Sequence, residues 1–464
     1  MSQQREGAYL LPASPIVSID EFLAAGGGQG LERALRMGEE WTLDEMTRAG
    51  LRGRGGAGFS TGTKWGSVRA TGGTHFVVAN CAEGEPATFK DRMLIRRDPY
   101  RIVEGAAIAA FVVGAGSVYL ATKRSYGREV EALTRAAIEL SHSGLLQELT
   151  VNIVEGPDEY LFGEEKAMLE VIEGRDPLPR LLPPYQLGLF ATTPAGGWEA
   201  EARNLTGAMV SNPTVVNNAE TLASAAHIVA NGADWFRSMG TAMSPGTVLA
   251  TVVGDVVCPG VREVECGTPL AELLGLCGGP LPGHRFKAAF SGVSNSVISA
   301  ADFDTPLTYE DFSVIGSGLG AAGFAIYDDS TNMAMVAHEF SRFLAVESCG
   351  QCPPCKEGSL SITGLLADII NGAADESALG LLAARLRSVT DANRCFLGTE
   401  EQQVVSSILR IFPDDVAAFL EGRVDHHRPV DVPLIADITD DGAVIFDRRH
   451  ARKRPDWTYE QEPH

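Results

Sequence analysis

Hydrophobic and polar positions follow two different periods in the first third of the chain. Apolar residues recur at helical spacing from Trp41, and Thr42 is a possible N-cap of that helix. Short apolar runs rich in β-branched residues alternate with such helical segments and predict strands. The predicted order is helix 41–52, strand 75–81, helix 98–115, strand 117–123, helix 127–144 and strand 149–156. This alternation predicts a layered α/β domain with a parallel sheet.

The pattern changes twice further along the chain. Residues 175–215 are rich in Pro and Gly and predict a long loop that wraps a site. From about Gly246, β-branched residues alternate with turn signals, which predicts a compact β-rich domain with one helix. From Thr331 helical patterns follow one another with short connections and predict a helical bundle. The predicted helices cover 331–348, 356–372, 376–389, 399–411 and 413–422.

These changes divide the chain into regions. The boundaries predict an N-terminal segment at 1–40, an α/β domain at 41–245, a β-rich domain at 246–330, a helical bundle at 331–424 and a tail at 425–464. The end of the tail, DRRHARKRPDWTYEQEPH (447–464), is locally basic. We expect it to be solvated or to dock on a partner.

Composition narrows the class of protein. The chain has 464 residues, of which 45% are hydrophobic, as is usual for a globular protein with a substantial core. Its net charge of −22 argues against a nucleic-acid partner, because phosphate binding needs a basic face. The sequence shows neither the apolar length of a membrane span nor a signal-peptide pattern, so we expect a cytoplasmic protein.

Three of the eight cysteines stand at a fixed interval in ESCGQCPPCKEG (347–358). Cys349, Cys352 and Cys355 can wrap one corner of a metal cluster, because the short intervening segments turn backbone N–H groups toward the sulfurs. A [4Fe–4S] cube needs a fourth thiolate. Cys395 follows two predicted helices, at the point where a bundle would return the chain to the same end.

Two alternatives to an iron–sulfur cluster remain open for these thiols. A structural zinc site favours two separated cysteine pairs, and the thiols could also be unligated. We expect Pro353 and Pro354 to stiffen the turn and to forbid a helix there. The remaining cysteines, which we expect to be buried packing residues, are Cys81, Cys258, Cys266 and Cys277.

A glycine-dense stretch, LRGRGGAGFSTGTKW (51–65), follows the first predicted helix. Gly53, Gly55 and Gly58 match the dinucleotide fingerprint in form, although that fingerprint carries weight only after a strand. Glycines still allow a backbone to approach a flat or phosphorylated ligand closely.

Charged and aromatic residues accompany these glycines. Arg54 and Lys64 can neutralise a phosphate. The alternative is a flexible surface loop. Phe59 and Trp65 argue against it, since a linker rarely carries two aromatic anchors.

Acidic and amide residues stand at predicted strand ends and helix starts. They are Glu83 and Glu85 in NCAEGEP, Tyr160, Gly163, Glu164 and Glu165 in YLFGEEKAM, and Asn217 and Asn218 in NPTVVNNAET. Side chains in such places are often helix caps. They can also accept hydrogen bonds from the hydroxyl or ring N–H groups of a nucleotide or flavin. The residues alone leave both roles open.

The motifs occur together in one order. They are GLRGRGGAGF, TGTKW, EGEPATFKDR, Y-x-x-GEE, NPT-x-x-NN-x-ET and ESCGQCPPCKEG. In this combination the chain resembles the NADH-binding flavoprotein subunit of respiratory complex I. It also resembles the matching subunits of NAD-linked formate dehydrogenases and of soluble or bifurcating hydrogenases. The resemblance covers about residues 40 to 420.

The resemblance implies a fold, cofactors and partners. It implies an FMN-binding α/β domain, a ubiquitin-like β-grasp domain at 246–330 and a helical bundle that carries one [4Fe–4S] cluster. It further implies hydride exchange between NAD(H) and FMN, followed by transfer of single electrons to the cluster. The implied partners are a small thioredoxin-like [2Fe–2S] subunit and a larger iron–sulfur or catalytic subunit.

The resemblance also implies roles for individual residues. Those that would bind FMN or the nucleotide are Gly53, Arg54, Gly55, Gly56, Gly58, Lys64, Asn80, Glu83, Tyr160, Gly163, Glu164, Glu165, Tyr185, Asn217 and Asn218. Glu85 would face the nicotinamide as the catalytic residue. The cluster ligands would be Cys349, Cys352, Cys355 and Cys395.

The chain departs from the family pattern at several positions. The family's N-x-D-E-x-E-P-G stretch has Asp and Gly where this chain has Ala82 and Ala87, and its Y-x-C-GEE cysteine is Phe162. Its KPPF reads LPPY, so Leu182 replaces a basic residue, whereas Tyr185 can still stack on a nucleotide. These changes predict a divergent relative from a formate dehydrogenase, a hydrogenase or another redox complex.

Two alternative functions remain open on the sequence. The first is an electron-relay or scaffold subunit that keeps FMN and the cluster but no longer binds NADH, as the changes at Ala82 and Leu182 suggest. The second is a zinc-stabilised nucleotide-binding module, which would contain zinc and no iron.

Overall fold

The computed structural model describes residues 9–191, 211–424 and 428–460. The chain forms two compact units. The first contains the described residues of Met1–Glu83, Asp91–Asp158 and Phe162–Gly246. The second contains those of Gly84–Lys90, Glu159–Leu161 and Thr247–His464. The predicted loop at 175–215 lies partly outside the described residues.

A parallel sheet forms the centre of the first unit, with its strands in the order β3-β2-β1-β4. The strands are β1 Phe76–Asn80, β2 Ser117–Lys123, β3 Thr150–Gly156 and β4 Thr214–Asn218. The middle residues of β1 are buried, as is typical of strands that are covered on both faces. The predicted parallel α/β sheet is confirmed. The sequence analysis missed β4, because its motif was interpreted only as the approach to a helix.

Helices surround this sheet. They are Ile19–Ala24, Gln29–Met37, Glu39–Ala49, Thr61–Ala70, Lys90–Arg97, Pro99–Val113, Gly127–His142, Glu165–Ile172, Ala219–Asn231 and Ala233–Arg237. Pro99–Val113 is buried along almost its whole length, as its apolar sequence predicts. The Asp98 side chain accepts a hydrogen bond from the Arg101 N–H at its start, and Gly114 ends it in the left-handed conformation.

The first predicted helix starts earlier than expected. The helix Glu39–Ala49 begins after Gly38, so the prediction of Thr42 as its N-cap is wrong. The Thr42 hydroxyl instead donates to the Gly38 carbonyl at 2.8 Å from inside the first turn. Glu39 and Glu40 explain the earlier start, because acidic side chains are favourable at a helix N-terminus.

A mixed sheet in the order β6-β5-β9-β7-β8 begins the second unit. Its strands are β5 Thr247–Gly254, β6 Gly260–Glu265, β7 Phe286–Ser291, β8 Ile298–Ser299 and β9 Gly323–Asp328. β5 and β9 run parallel in its centre, and the other neighbouring pairs are antiparallel. The alternate residues Val248, Ala250 and Val252 of β5 enter a hydrophobic core.

Helices Leu270–Leu276 and Tyr309–Val314 accompany this sheet, so the expectation of one helix is wrong. The second begins at Thr308, whose hydroxyl oxygen accepts from the Asp311 N–H at 3.0 Å. Threonine followed three residues later by an acidic residue is an N-terminal capping pattern, and this was the missed signal.

A run of helices occupies residues 331–424, all of which are described. The helices are Met333–Glu347, Pro353–Ile370, Ser377–Ser388, Leu397–Ile411 and Pro413–Leu420. Met333–Glu347 packs against Pro353–Ile370 and Leu397–Ile411. The expectation that Pro353 and Pro354 forbid a helix is wrong. They are the first residues of one, where a missing backbone N–H costs no hydrogen bond.

The tail packs onto the second unit. β10 Ile435–Ile438 and β11 Val444–Phe446 form an antiparallel pair, and a turn of 3-10 helix covers Arg449–Arg452. His450 and Lys453 are buried against Glu347, so the expectation of a solvated or partner-docking tail is wrong for residues 447–460. Within the described parts of the chain, no helix combines the length and apolarity needed to cross a bilayer.

The contact between Pro99–Val113 and Ala219–Asn231 generates a first prediction. A Cβ on Gly105 would lie 1.9 Å from the Leu222 carbonyl oxygen. We expect Gly105→Ala to destabilise the first unit by about 3 kcal/mol, because the helices must move apart. Denaturant unfolding followed by circular dichroism measures this loss. Gly127→Ala is the control, since its Cβ would meet no described atom within 4 Å. Equal stability of the two variants would contradict the packing.

A buried carboxyl in the second unit generates a prediction about pH. Glu401 is fully buried, and the Ser341 hydroxyl donates to its Oε1 at 2.6 Å. Burial outweighs this hydrogen bond and raises the pKa of Glu401 from 4.5 to about 8. Ionisation therefore costs more in the folded than in the unfolded protein, so the group destabilises the fold as pH rises from 4.5 toward 8.

We expect Glu401→Gln to raise stability at pH 8 by a few kcal/mol, since one pKa unit corresponds to about 1.4 kcal/mol, and to give no gain at pH 5. Thermal unfolding at both pH values measures the difference. Glu421→Gln, at an exposed position, is the control. A constant difference between wild type and Glu401→Gln at both pH values would refute this titration.

Candidate functional site

Predicted site residues stand at the carboxyl edge of the sheet in the first unit. The chain runs from β1 to β2 and β3 on one side, whereas β4 lies on the other side of β1. Ligands of open parallel sheets bind outside the carboxyl ends of the strands, at the point where the strand order reverses. Asn80 ends β1 opposite Asn218 of β4, and Asn217 precedes it. The topology therefore indicates the edge at which the three asparagines lie.

Asn80 connects this edge to the next helix. Its Nδ2 donates to the Gly163 carbonyl at 2.8 Å, and its Oδ1 accepts from the Ala82 N–H at 3.2 Å. A Cβ on Gly163 would lie 3.2 Å from the Ala82 carbonyl oxygen. Gly163 thus lets two backbone segments approach closely beside the start of the helix Glu165–Ile172.

The two asparagines of β4 have fixed side chains. Asn217 Oδ1 accepts from the indole Nε1 of Trp65 at 2.7 Å. Asn218 Oδ1 caps the following helix by accepting from the Glu220 N–H at 3.0 Å, and its Nδ2 donates to Asp91 Oδ2 at 2.6 Å. Asn218 is therefore a cap, the first of the two roles that the sequence left open. Asp91 is a polar residue of this edge that the sequence analysis missed, although it lies in the quoted motif EGEPATFKDR.

The glycine loop leads from one helix into another, without a preceding strand. Gly56 and Gly58 have φ values of 128° and 61°, which strongly favour glycine. A Cβ on Gly55 would lie 3.2 Å from Asn218 Cβ, whereas one on Gly56 would meet no described atom within 4 Å. The loop thus rests on the end of β4 with one side packed and the other open, which fits a ligand that backbone N–H groups contact.

The aromatic residues of this loop differ in exposure. Trp65 is fully buried, whereas Phe59 is 55% exposed. The expectation that both act as anchors is therefore correct for Trp65 and wrong for Phe59, whose ring is open to solvent.

The two cations of the loop have different surroundings. Lys64 Nζ donates to Glu165 Oε1 at 2.6 Å and to the Val216 carbonyl at 2.9 Å, so it lies at the β4 edge and remains partly exposed. The Arg54 side chain is 1% exposed, and its Nη2 donates to the Pro245 carbonyl at 3.2 Å. A phosphate at the loop would therefore meet Lys64 rather than the Arg54 guanidinium.

Glu83 and Glu164 make the contacts of helix caps. The Glu83 carboxylate accepts from the Asp91 and Arg92 N–H groups, each at 3.2 Å. Glu164 Oε2 accepts from the N–H groups of Lys166 and Ala167, each at 2.9 Å. Burial raises the pKa of Glu164 to about 7. The predicted cofactor role would use the oxygen atoms that these caps leave available.

The positions that depart from the family pattern divide into two groups. Ala82 and Phe162 are buried, and the Phe162 ring fills the space beside Gly156, where a Cβ would lie 2.2 Å from it. Leu182 and Tyr185 are 36% and 51% exposed. The Tyr185 ring is thus accessible for stacking.

Glu85 and Tyr160 meet in the second unit. The Tyr160 hydroxyl donates to Glu85 Oε2 at 2.6 Å, and the Val293 N–H donates to Glu85 Oε1 at 2.7 Å. A Cβ on Gly292 would lie 2.1 Å from Glu85 Oε1, so this carboxylate requires glycine there. Burial raises the pKa of Glu85 against these hydrogen bonds.

The sequence analysis missed the partners of this pair. Gly292 and Val293 lie in a turn without a recognisable motif, and Glu400 lies 3.4 Å from the Tyr160 hydroxyl. Burial, followed by the charges of Glu400 and Glu85, raises the pKa of Tyr160 well above its usual value. Only the folded chain brings these distant residues together.

The cysteine turn joins two helices of the second unit. Cys352 is the N-cap residue of the helix Pro353–Ile370, and Cys355 lies in its first turn, buried and 3.4 Å from the Ser348 hydroxyl. Cys349 lies at the preceding bend, partly exposed.

Cys395 lies in a loop that contacts this turn. Arg394 Nη1 donates to Gln351 Oε1 at 3.2 Å, and Gln351 Nε2 lies 3.7 Å from Cys349 Sγ. This contact joins the residue before Cys395 to the residue between Cys349 and Cys352. The structure therefore brings the predicted fourth ligand's loop to the other three cysteines.

The chemistry of this donor set fits a metal cluster. Burial raises the pKa of Cys355 to about 11, and the charges of Cys352 and Cys349 raise it as well, against a hydrogen bond from Ser348. Thiolates gathered in this way repel one another unless a cation is bound among them.

The remaining cysteines are placed differently. Cys81, Cys266 and Cys277 are buried, as expected, whereas Cys258 is exposed. The expectation of burial is therefore wrong for Cys258, whose turn position lies outside the apolar core.

Family models match two parts of the chain. The Nuo51 FMN-binding domain matches residues 46–227, and the NADH-ubiquinone oxidoreductase-F iron–sulfur binding region, a 4Fe–4S model, matches residues 335–419. These matches confirm the predicted FMN and [4Fe–4S] cofactors at the level of the family.

Two solved structures have a similar fold. The NAD⁺-reducing [NiFe]-hydrogenase in its H₂-reduced state gives a TM-score of 0.72 at 33% identity, covering 84% of this chain and 63% of the hydrogenase chain. The air-oxidized state gives a TM-score of 0.74 at 31% identity, covering 90% of this chain and 68% of that chain. This chain thus spans about two thirds of the hydrogenase chain.

Curated relatives cover most of the chain. The second F-type subunit of the NADH-quinone oxidoreductase of Rhizobium meliloti is 36% identical over 422 residues, which are 87% of this chain and 95% of the relative. The F-type subunit of the same enzyme in Streptomyces coelicolor is 33% identical over 435 residues, which are 91% of this chain and 92% of the relative. The predicted resemblance is confirmed, and the chain belongs to the family of F-type subunits of NADH-quinone oxidoreductases.

Proposed function

We propose that this chain is the flavoprotein subunit of a multi-subunit redox complex. It exchanges hydride between NAD(H) and FMN and passes single electrons through a [4Fe–4S] cluster to a partner subunit. The observation that carries this proposal is the Arg394–Gln351 contact, which brings the loop of Cys395 to the cysteine turn in a chain whose other unit has an open glycine loop. Bound FMN accepts an electron pair and releases single electrons to an iron–sulfur cluster.

The chain's residues at the β1 and β4 edge would bind and orient the flavin. The glycine-loop N–H groups and Lys64 offer donors and a positive charge to a phosphate. Asn80 and Asn217, which are held by Gly163 and Trp65, would present the rest of their amide groups in fixed orientations. Fixed orientation is what a bound ring needs, because a small displacement weakens every hydrogen bond to it.

Glu85 has the surroundings of a positioned acid. Val293 N–H and the Tyr160 hydroxyl hold both of its oxygens, and burial raises its pKa. We propose that this carboxyl contacts the nicotinamide and sets the local charge there.

The finer domain assignment belongs to the same proposal. We assign an N-terminal segment to 1–40, the FMN domain to 41–245, a β-grasp domain to 246–330, a cluster-binding bundle to 331–424 and a tail to 425–464. The order β6-β5-β9-β7-β8 with its parallel central pair supports the β-grasp assignment. The packing of Met333–Glu347 against Pro353–Ile370 and Leu397–Ile411 supports the bundle.

The partners follow from the family. The relatives are named as subunits of NADH-quinone oxidoreductases, and the similar structures are of an NAD⁺-reducing hydrogenase. We propose a small thioredoxin-like [2Fe–2S] partner and a larger iron–sulfur or catalytic partner for this chain, in a complex I, hydrogenase or formate dehydrogenase.

A second candidate function is a relay subunit that has lost NADH binding. The exposed Leu182 side chain favours it, because an apolar group stands where the family pattern has a cation. In this case dithionite would bleach the flavin absorbance of the purified protein and NADH would not.

Lys64 provides a test of the flavin site. We expect Lys64→Met to lower the flavin bound per chain at least tenfold, because loss of one charged hydrogen-bond donor to a phosphate costs about 1.5–3 kcal/mol. Flavin absorbance after gel filtration measures the ratio. Arg36→Met removes an exposed positive charge from the same unit and is the control. Full flavin content in Lys64→Met would place the phosphate elsewhere.

Cys395 provides a test of the cluster and of the hydride step. We expect the wild-type chain to contain about four irons and Cys395→Ala to lose them, because a [4Fe–4S] cube needs four thiolates. NADH should still bleach the flavin of Cys395→Ala, since that step does not need the cluster. Iron analysis and anaerobic absorbance measure both, with the exposed Cys258→Ala as control. Unchanged iron in Cys395→Ala would remove it from the ligand set, and zinc without iron would favour the zinc-stabilised module.

A further inference from the structure

The tail of the second unit contacts the end of the helix that leads into the cysteine turn. The last carbonyl groups of Met333–Glu347 have no acceptor role inside the helix, as at any helix C-terminus. The indole Nε1 of Trp457 donates to the Val346 carbonyl at 3.0 Å. The ring of His450 lies 4.8 Å from that of Phe343, between centroids. The tail thus covers the helix end from which Cys349 follows.

Lys356, the residue after Cys355, is held by both the helix end and the tail. Its Nζ donates to the carbonyl of Ala345 at 2.9 Å, to that of Ser348 at 2.8 Å and to that of Pro455 at 2.6 Å. An ammonium group has three N–H donors, and these acceptors use all of them. The tail therefore completes the coordination of a positive charge beside the cysteine turn.

A buried ion-pair cluster joins the tail to Glu347. Lys453 Nζ donates to Glu347 Oε1 at 2.7 Å, and His450 Nε2 lies 2.9 Å from the same oxygen. The Tyr160 N–H donates to Glu347 Oε2 at 3.1 Å. Glu347 and Lys453 are almost fully buried, with 2% and 4% of their surfaces exposed. Glu347 stands two residues before Cys349, so its charge lies beside the predicted cluster ligands.

We propose that residues 447–460 act as a clasp on the cysteine turn, and that Lys453 is a positioning residue that neutralises the Glu347 carboxylate and thereby sets the reduction potential of the cluster. This inference rests on the proposed [4Fe–4S] cluster. It concerns a segment beyond residue 419, where the matched iron–sulfur region ends.

The sign of the effect follows from charge. Reduction adds one negative charge to a cluster, and the potential of iron–sulfur centres depends on the net charge and the hydrogen bonds around them. An unneutralised carboxylate two residues from Cys349 would oppose that added charge, and low-dielectric surroundings would strengthen the opposition. The Lys453 ammonium cancels this repulsion at a distance of 2.7 Å from Glu347 Oε1.

The test is a redox titration of the full-length, iron-loaded protein, followed by electron paramagnetic resonance of the reduced cluster. We expect Lys453→Met to make reduction about tenfold less favourable, which corresponds to a potential lower by about 59 mV. Lys453→Arg keeps the charge and should restore the wild-type potential. Arg454→Met is the matched control, because its side chain is 55% exposed and lies one residue away in the same tail.

A second arm separates charge from mere stability. Glu347→Gln should shift the potential in the opposite direction, and the double variant Glu347→Gln/Lys453→Met should return toward wild type. Loss of iron in Lys453→Met that the double variant reverses supports the clasp. Equal potentials in wild type, Lys453→Met and Glu347→Gln would overturn it, as would loss of iron in all the variants alike. A wild-type chain without iron would instead refute the proposed cluster itself.

Discussion

The parallel pairing of β4 with β1 is the constraint on which the edge of the first unit depends. Its register places Asn80 opposite Asn218. This brings the end of β1, the start of the helix Ala219–Asn231 and the glycine loop to one place. A shift of one residue would turn Asn217 and Asn218 to the opposite faces of the sheet. Gly55 adds a steric limit, because a side chain there would press on Asn218.

Capping and ligand binding are compatible roles at this edge. Glu83, Glu164 and Asn218 each accept hydrogen bonds from the first N–H groups of a helix. Those bonds remove the rotational freedom of the side chains, so their other polar atoms point in defined directions. The sequence left caps and ligands as alternatives, whereas the geometry shows how one side chain can serve in both.

Charge pairing decides the behaviour of buried carboxylates in the second unit. Burial alone raises the pKa of a carboxyl, as it does for Glu401, whose pKa reaches about 8 with a single hydrogen bond from Ser341. Burial acts on Glu347 as well, but the hydrogen bond from His450 and the charge of Lys453 lower its pKa to about 2. Two acids of similar burial thus differ because only one has cationic partners.

The sequence by itself determined the parallel α/β sheet, the family and its cofactors, because these depend on local periodicity and on motifs that survive as strings of residues. It failed where a residue's role depends on distant partners. Thr42 and Pro353 were misjudged at helix starts, and Cys258 and the tail were misjudged in burial, since neither can be read from spacing. Only the tertiary structure decided that Lys453 meets Glu347 and that Arg394 meets Gln351. These contacts join segments far apart in the chain, and burial and electrostatic pairing between such segments exist only after folding.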